Sequence, residues 1–127
     1  MPKHVPTVKR GVKPIGPYSI AVEAIGRLVF ISGQVAIDPA TGEKEAGDAA
    51  AQAARIMDNL GMVLGDLGMD HEDVVKTTIF LVDMAEFAAV NEVYGRFFTG
   101  KPPARSTVQV GALPGGFRVE IEAIAAA

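Results

Sequence analysis

The stretch DVVKTTIFLVD, residues 73–83, constrains the fold more than any other part of the chain. Its Val, Ile, Thr and Phe content reads as a strand. Side chains alternate across a strand, so Thr77, Ile79 and Leu81 take one face while Thr78, Phe80 and Val82 take the other. Both faces are therefore largely apolar. Helices packed on the sheet account for one face. The other needs a second apolar surface, which predicts a homo-oligomer.

The elements around this strand follow from local chemistry. Residues 1–14 are rich in proline and basic side chains and are expected to form a loose N-terminal arm. Gly16-Pro17 turns the chain into an extended stretch. GRLVFISGQVAID, residues 26–38, is a strand interrupted by Gly33, which points to a bulge or a close backbone approach. DPATGE, residues 38–43, is a turn. Asp48 caps a helix running to about Leu67, with Gly68 past its end. Ile56, Leu60, Val63 and Leu67 make one apolar stripe on it. Gly61 and Gly65 either admit another backbone or are tolerated surface positions.

Asp83 and Glu86 form a D-x-x-E pattern resembling a capping box, which starts a second helix. Phe87, Val90, Tyr94 and Phe97 give that helix its apolar face, and Gly100 with Pro102-Pro103 ends it. Two neighbouring strands are expected over about residues 105–110 and 117–125. Two helices on one face of a sheet of about six strands make a two-layer α+β domain. A chain of 127 residues suits a single domain, residues 1–127.

Composition removes several classes of function. There is no cysteine, so disulfides, zinc–thiolate sites and thiol nucleophiles are excluded. With only His4 and His71, a metal site would need carboxylate help, and His71 in GMDHEDVV reads as a solvated loop residue. No metal is expected. The net charge of −3 and scattered cations make nucleic acid an unlikely partner. No apolar run approaches the roughly 18 residues of a membrane span, and no signal-peptide pattern opens the chain. The default expectation is a cytoplasmic protein with no membrane partner.

Period-two alternation places Arg105, Thr107 and Gln109 on one face of their strand. Arg118, Glu120 and Glu122 share a face of the next. A guanidinium enclosed at a subunit boundary needs a partner. That partner is either a protein carboxylate such as Glu120 or Glu122, or a ligand carboxylate held in parallel hydrogen bonds. In the second case a glutamate on the same wall can orient or deprotonate a water. Tyr18 is either a surface turn aromatic or a pocket residue. Asn91 is either a solvated amide or a polar contact across an interface. Ser32-Gly33-Gln34 is no nucleophile elbow, and GALPGG lacks the Lys-Ser/Thr of a phosphate loop.

Five segments, in order and spanning nearly the whole chain, resemble the Rid family, also called YjgF or L-PSP, in its RidA branch. They are IGPYSIAV (15–22), VFISGQVAIDPATGE (29–43), AAQAARIMDNL (50–60), VVKTTIFLVDMAEFAAVNEVYGRFF (74–98) and PPARSTVQVGALPGGFRVEIEAIA (102–125). The resemblance implies a chorismate-mutase-like α+β fold and a homotrimer, with sheets lining a central barrel and active-site clefts between subunits. It implies hydrolysis of small 2-imino acids, such as 2-iminobutanoate and 2-iminopropanoate, to 2-oxo acids and ammonia, with no cofactor or metal.

By the same resemblance, Arg105 matches the arginine that grips the substrate carboxylate, and Glu120 the glutamate that positions or activates water. Tyr18, Ser32, Gly33 and Asn91 match residues lining the cleft. Thr107 stands where close relatives commonly have cysteine, which leaves substrate preference open. Two other classes remain: a non-catalytic ligand-binding or holdase-like trimer, and an endoribonuclease or translation inhibitor.

Overall fold

The computed structural model describes residues 2–127. A short ribbon of β1 (Lys3–His4) and β2 (Glu23–Ala24) precedes β3 (Leu28–Gln34), α1 (Ala49–Asp66) and β4 (Val74–Leu81). Then come α2 (Phe87–Gly95), β5 (Ala104–Gln109) and β6 (Val119–Ala126). The main sheet has four strands in the order β3-β6-β4-β5. The six strands expected are thus divided between a ribbon of two and a sheet of four. The arm expected to be loose is tied at its start: the Ile25 amide donates to the Pro2 carbonyl, and Lys3 Nζ donates to the Lys101 carbonyl.

The strand apolar on both faces, β4, lies inside the sheet. It pairs antiparallel with β6 and parallel with β5, which returns through α2. So β5 and β6 are not the neighbours the sequence suggested. A parallel return from α2 has to take one edge of β4, which leaves the other edge for β6. Every buried residue of β4 from Val75 to Leu81 alternates with a half-buried one.

Helices cover one face. Ile79 and Leu81 of β4, with Val119, Ile121 and Ala123 of β6, pack against Ile56, Met57, Leu60 and Leu64 of α1 and Val90 and Tyr94 of α2. The opposite face carries Phe30, Phe80 and Val108, and Phe30 is 72% exposed. An apolar ring so exposed agrees with the expected need for a second surface. No helix among the described residues is long and apolar enough to cross a membrane.

Helix termini show why the elements start where they do. Asp48 accepts from the Ala51 amide at 2.9 Å, and Gly68 leaves α1 at φ +75°. The chain turns away there, so Leu67 is partly exposed instead of extending the buried stripe, which runs through Leu64. Asp83 accepts from the Ala85 amide in a single 3₁₀ turn ahead of α2. Glu86 does not reach back to Asp83. Its carboxylate accepts from the Ala49 amide at the start of α1 and from Arg118, just ahead of β6.

His71 is not a solvated loop residue. It packs against the Phe97 and Phe98 rings, and its Nε2 donates to the Met57 carbonyl at 2.8 Å. Only a carbonyl faces that nitrogen, so the proton sits on Nε2. Gly61 makes the room: a Cβ there would lie 2.7 Å from His71 Cε1. Gly65 faces open space. The two glycines are therefore expected to respond oppositely to alanine. Gly65→Ala gains about 0.5–1 kcal/mol of helix stability. Gly61→Ala loses more than that gain, since overpacking costs about 1–3 kcal/mol. Thermal unfolding of the two variants checks both signs.

Candidate functional site

Cross-strand pairs share a face, and this decides where each candidate side chain points. Ile79 stands opposite Thr107 on one side and Ile121 on the other. Thr77 likewise stands between Arg105 and Ala123. Arg105 and Thr107 therefore emerge on the helix-covered face, at the edge strand β5. Phe80 stands opposite Glu120 and Val108, which places Glu120 on the open face.

At the β5 edge the Arg105 side chain runs under α2. Its Nη1 donates to Asn91 Oδ1 at 2.7 Å. Three rings surround the guanidinium, with centroids 5.4 Å (Tyr18), 5.3 Å (Tyr94) and 5.8 Å (Phe87) from its carbon. Tyr94 is fully buried, and its hydroxyl shares a 2.7 Å hydrogen bond with Thr77 Oγ1. The guanidinium borders a cavity of about 270 Å³ lined also by Ile15, Gly16, Tyr18, Phe87 and Thr107.

Among the described residues of one protomer, no carboxylate pairs with this cation. The ion pairs among the described residues are His4–Glu23, Arg96–Glu92 and Arg118–Glu86. Within one protomer neither Glu120 nor Glu122 pairs with Arg105. Burial pulls the Arg105 pKa below the ordinary arginine value, with Tyr94 and Tyr18 acting in the opposite direction. Guanidinium groups remain charged in proteins. The site thus holds a half-enclosed positive charge whose protein partner is a neutral amide.

A second group of candidates lies elsewhere. The pairing of β3 with β6 loses its register between Ile31 and Gln34, at Ser32 and Gly33. The Glu120 side chain lies over this irregularity: a Cβ on Gly33 would be 2.7 Å from the Glu120 carboxyl carbon. The expected close approach at Gly33 is thus made by the Glu120 side chain. Ser32 and Gly33 are both exposed.

The structure therefore brings Arg105, Asn91, Tyr18 and Thr107 together, and separately Glu120, Ser32 and Gly33. Within one protomer these two groups are on opposite faces of the sheet, so Glu120 does not share a wall with Arg105. Sequence reasoning missed Phe87 and Tyr94 as walls of the site, assigning them only to the core. Phe87, Asn91 and Tyr94 are spaced by four and three residues, one helix face, which was the available signal. Among the described residues, no group of three or more His, Asp or Glu side chains is placed to hold a metal ion.

Residues 8–127 match the protein family described as Endoribonuclease L-PSP. The chain belongs to the L-PSP (Rid, YjgF) family. It is 60% identical to Protein DfrA of Myxococcus xanthus over 89% of this chain and 87% of that one. It is 50% identical to the 2-iminobutanoate/2-iminopropanoate deaminase of Mus musculus over 87% of this chain and 82% of that one. Among solved structures, the Rid-family protein YyfB of Yersinia pestis, whose function is unknown, superposes with a TM-score of 0.92. That match covers 100% of both chains at 33% identity. The family and the α+β fold inferred from the sequence are both borne out.

In this L-PSP chain Tyr94 ties the site to the core, and its titration reports on that tie. Burial pushes its pKa from 10.0 up to about 12, against the Thr77 hydrogen bond and the Arg105 charge, which lower it. A raised pKa in the folded state favours the neutral phenol there. The associated stability is complete below pH 10 and is lost as pH rises toward about 12. Melting temperatures of the native chain and of Tyr94→Phe, measured across this window, are expected to converge as pH rises. The gap at neutral pH reflects about 1–2 kcal/mol for leaving Thr77 unpaired.

Proposed function

We propose that this chain is an imine deaminase that hydrolyses small 2-imino acids to 2-oxo acids and ammonia. One observation carries the reading: a half-buried guanidinium held by Asn91 and three aromatic rings, facing a cavity, with no carboxylate of its own protomer paired with it. Such a group is a receptor for an anion, and two parallel N–H donors suit a carboxylate. A relative at 50% identity is named as a 2-iminobutanoate/2-iminopropanoate deaminase.

Water supplies the oxygen. Arg105 fixes the carboxylate, so the adjacent C=N carbon is held for attack. A glutamate takes a proton from the water as the C–O bond forms, giving a tetrahedral carbinolamine. The glutamate passes that proton on to the nitrogen, the C–N bond breaks as the carbinolamine hydroxyl gives its own proton to the glutamate, and ammonia leaves with the 2-oxo acid behind. Glu120 is the residue we assign to the water.

Because Glu120 and Arg105 lie on opposite faces of one sheet, the assignment requires a second copy of the chain. A homotrimer with clefts between subunits would bring Glu120 of the partner subunit, with its Ser32 and Gly33, to the Arg105 cavity. The exposed Phe30 and Val108 on the open face support such packing. So does the edge position of β5, which leaves Arg105 at the margin of its own sheet.

The test generates the imine with a threonine dehydratase and follows its disappearance with and without this protein. Acceleration is expected from the native chain. Arg105→Ala is expected to abolish it while the sedimentation mass of the assembly is unchanged; native-like turnover in that variant would sink the reading. Glu120→Gln is expected to lower turnover by about 10²–10⁴-fold. Its affinity for a 2-oxo acid is expected to stay within a few-fold of native. Equal losses in both would make Glu120 a structural residue instead.

A further inference from the structure

Most cations of this chain are engaged within it. Lys3, Arg27 and Lys44 donate to backbone carbonyls, and Lys76, Arg96, Arg105 and Arg118 donate to side chains. Among the described residues, Lys9, Arg10, Lys13, Lys101 and Arg55 make no such hydrogen bond and join no ion pair. All of these but Arg55 lie on the N-terminal arm or beside it. No Asp or Glu occurs before Glu23, in a chain whose net charge is −3. The arm's cations are thus set apart from an acidic remainder.

The arm carries these charges to the edge of the Arg105 cavity. It bends back at Gly11, where a Cβ would lie 2.9 Å from Val8 Cγ1 and 3.8 Å from Ile20 Cγ2. Val8 and Pro14, the chain neighbours of Lys9 and Lys13, line a second cavity together with Tyr18 and Lys101. Tyr18 is common to both cavities. Ile15, which lines the Arg105 cavity, follows Lys13 by two residues, a span of at most about 7 Å. Lys9, Arg10 and Lys13 are all exposed. Chain geometry thus places their charges on the order of 10–15 Å from a carboxylate at Arg105.

On the reading of the Arg105 cavity as a carboxylate site, we propose that Lys9, Arg10 and Lys13 form a positive rim that draws small carboxylates to it. They act through their field and not by contact. At such distances in water, with a Debye length of about 30 Å at ~0.01 M salt, three charges together favour a monoanion about 3-fold. At ~1 M salt the Debye length is about 3 Å and the effect vanishes. A net-acidic surface repels the same anion, so a local positive rim has a use that scattered cations would not.

The experiment titrates 2-oxobutanoate calorimetrically at ~0.01 M and ~1 M salt into the native chain and three triple variants. Lys9→Ser/Arg10→Ser/Lys13→Ser is expected to bind about 3-fold more weakly at low salt and like the native chain at high salt. Lys9→Glu/Arg10→Glu/Lys13→Glu is expected to lose about 10-fold at low salt. Lys9→Arg/Arg10→Lys/Lys13→Arg keeps the charges and is expected to match the native chain at both. Native affinity of the serine variant at low salt overturns the proposal. So does a loss that persists at high salt or that the charge-keeping variant shares, since either marks a contact or a structural role. Imine turnover is followed in parallel. Arm- and salt-dependent binding by a native chain that does not accelerate imine loss removes the deaminase reading and leaves the rim standing. Undiminished binding in Arg105→Ala removes the carboxylate reading of the cavity, and the rim's role with it.

Discussion

Ile79 of β4 stands between Ile121 of β6 and Thr107 of β5, and this row of pairs sets the face of every side chain that matters to the site. The side-chain period of a strand is two, so register leaves no freedom once one face is committed to the core. With Ile79 and Ile121 buried under the helices, Thr107 must lie on the helix side and Glu120 on the other. A slip of one residue in β5 would carry Arg105 to the open face and break its hydrogen bond to Asn91. Hydrophobic burial along β4 therefore acts as the alignment device for the polar chemistry at the edge.

Magnitudes explain why that polar chemistry points outward. Arg118 is exposed and pairs with Glu86, where solvent screens the attraction. Arg105 is the opposite case. It gives up part of its hydration and receives a neutral amide and three ring faces in return. Cation–π contacts are worth about 0.5–2 kcal/mol, enough to hold a guanidinium in place but not to neutralise it. A carboxylate in place of Asn91 would have quenched the charge and closed the site to anions. The amide orients the cation and leaves its charge available.

Much of the fold was legible in the sequence because local chemistry and tertiary packing agree. The Asp48 cap, the Gly68 exit and the apolar period of α1 point the same way, and the structure follows them. The misreadings share a cause: each depended on which distant element fills a space. Gly61 and His71 are ten residues apart and give no local sign that the ring fills the notch. Glu86 looked like the second half of a capping box until the start of α1 and Arg118 were seen to claim its carboxylate. The order of β5 and β6 failed for the same reason, since consecutive strands need not be adjacent when a parallel crossover takes one edge of β4.

The candidate site was legible as a set of residues but not as a geometry. Alternation correctly put Arg105 with Thr107, yet it cannot say whether the faces of two strands coincide without knowing the strand between them. With β4 in place, the faces of Arg105 and Glu120 are opposed. No rotamer change within a protomer carries a side chain through a hydrogen-bonded sheet. A cation poised for an anion on one face and a carboxylate on the other are therefore of no use to each other until two copies of the chain meet. On this view assembly is a condition of the chemistry itself. On the proposed reading, the open apolar face, with Phe30 and Phe80 uncovered by any helix, is the surface that such assembly would take from water.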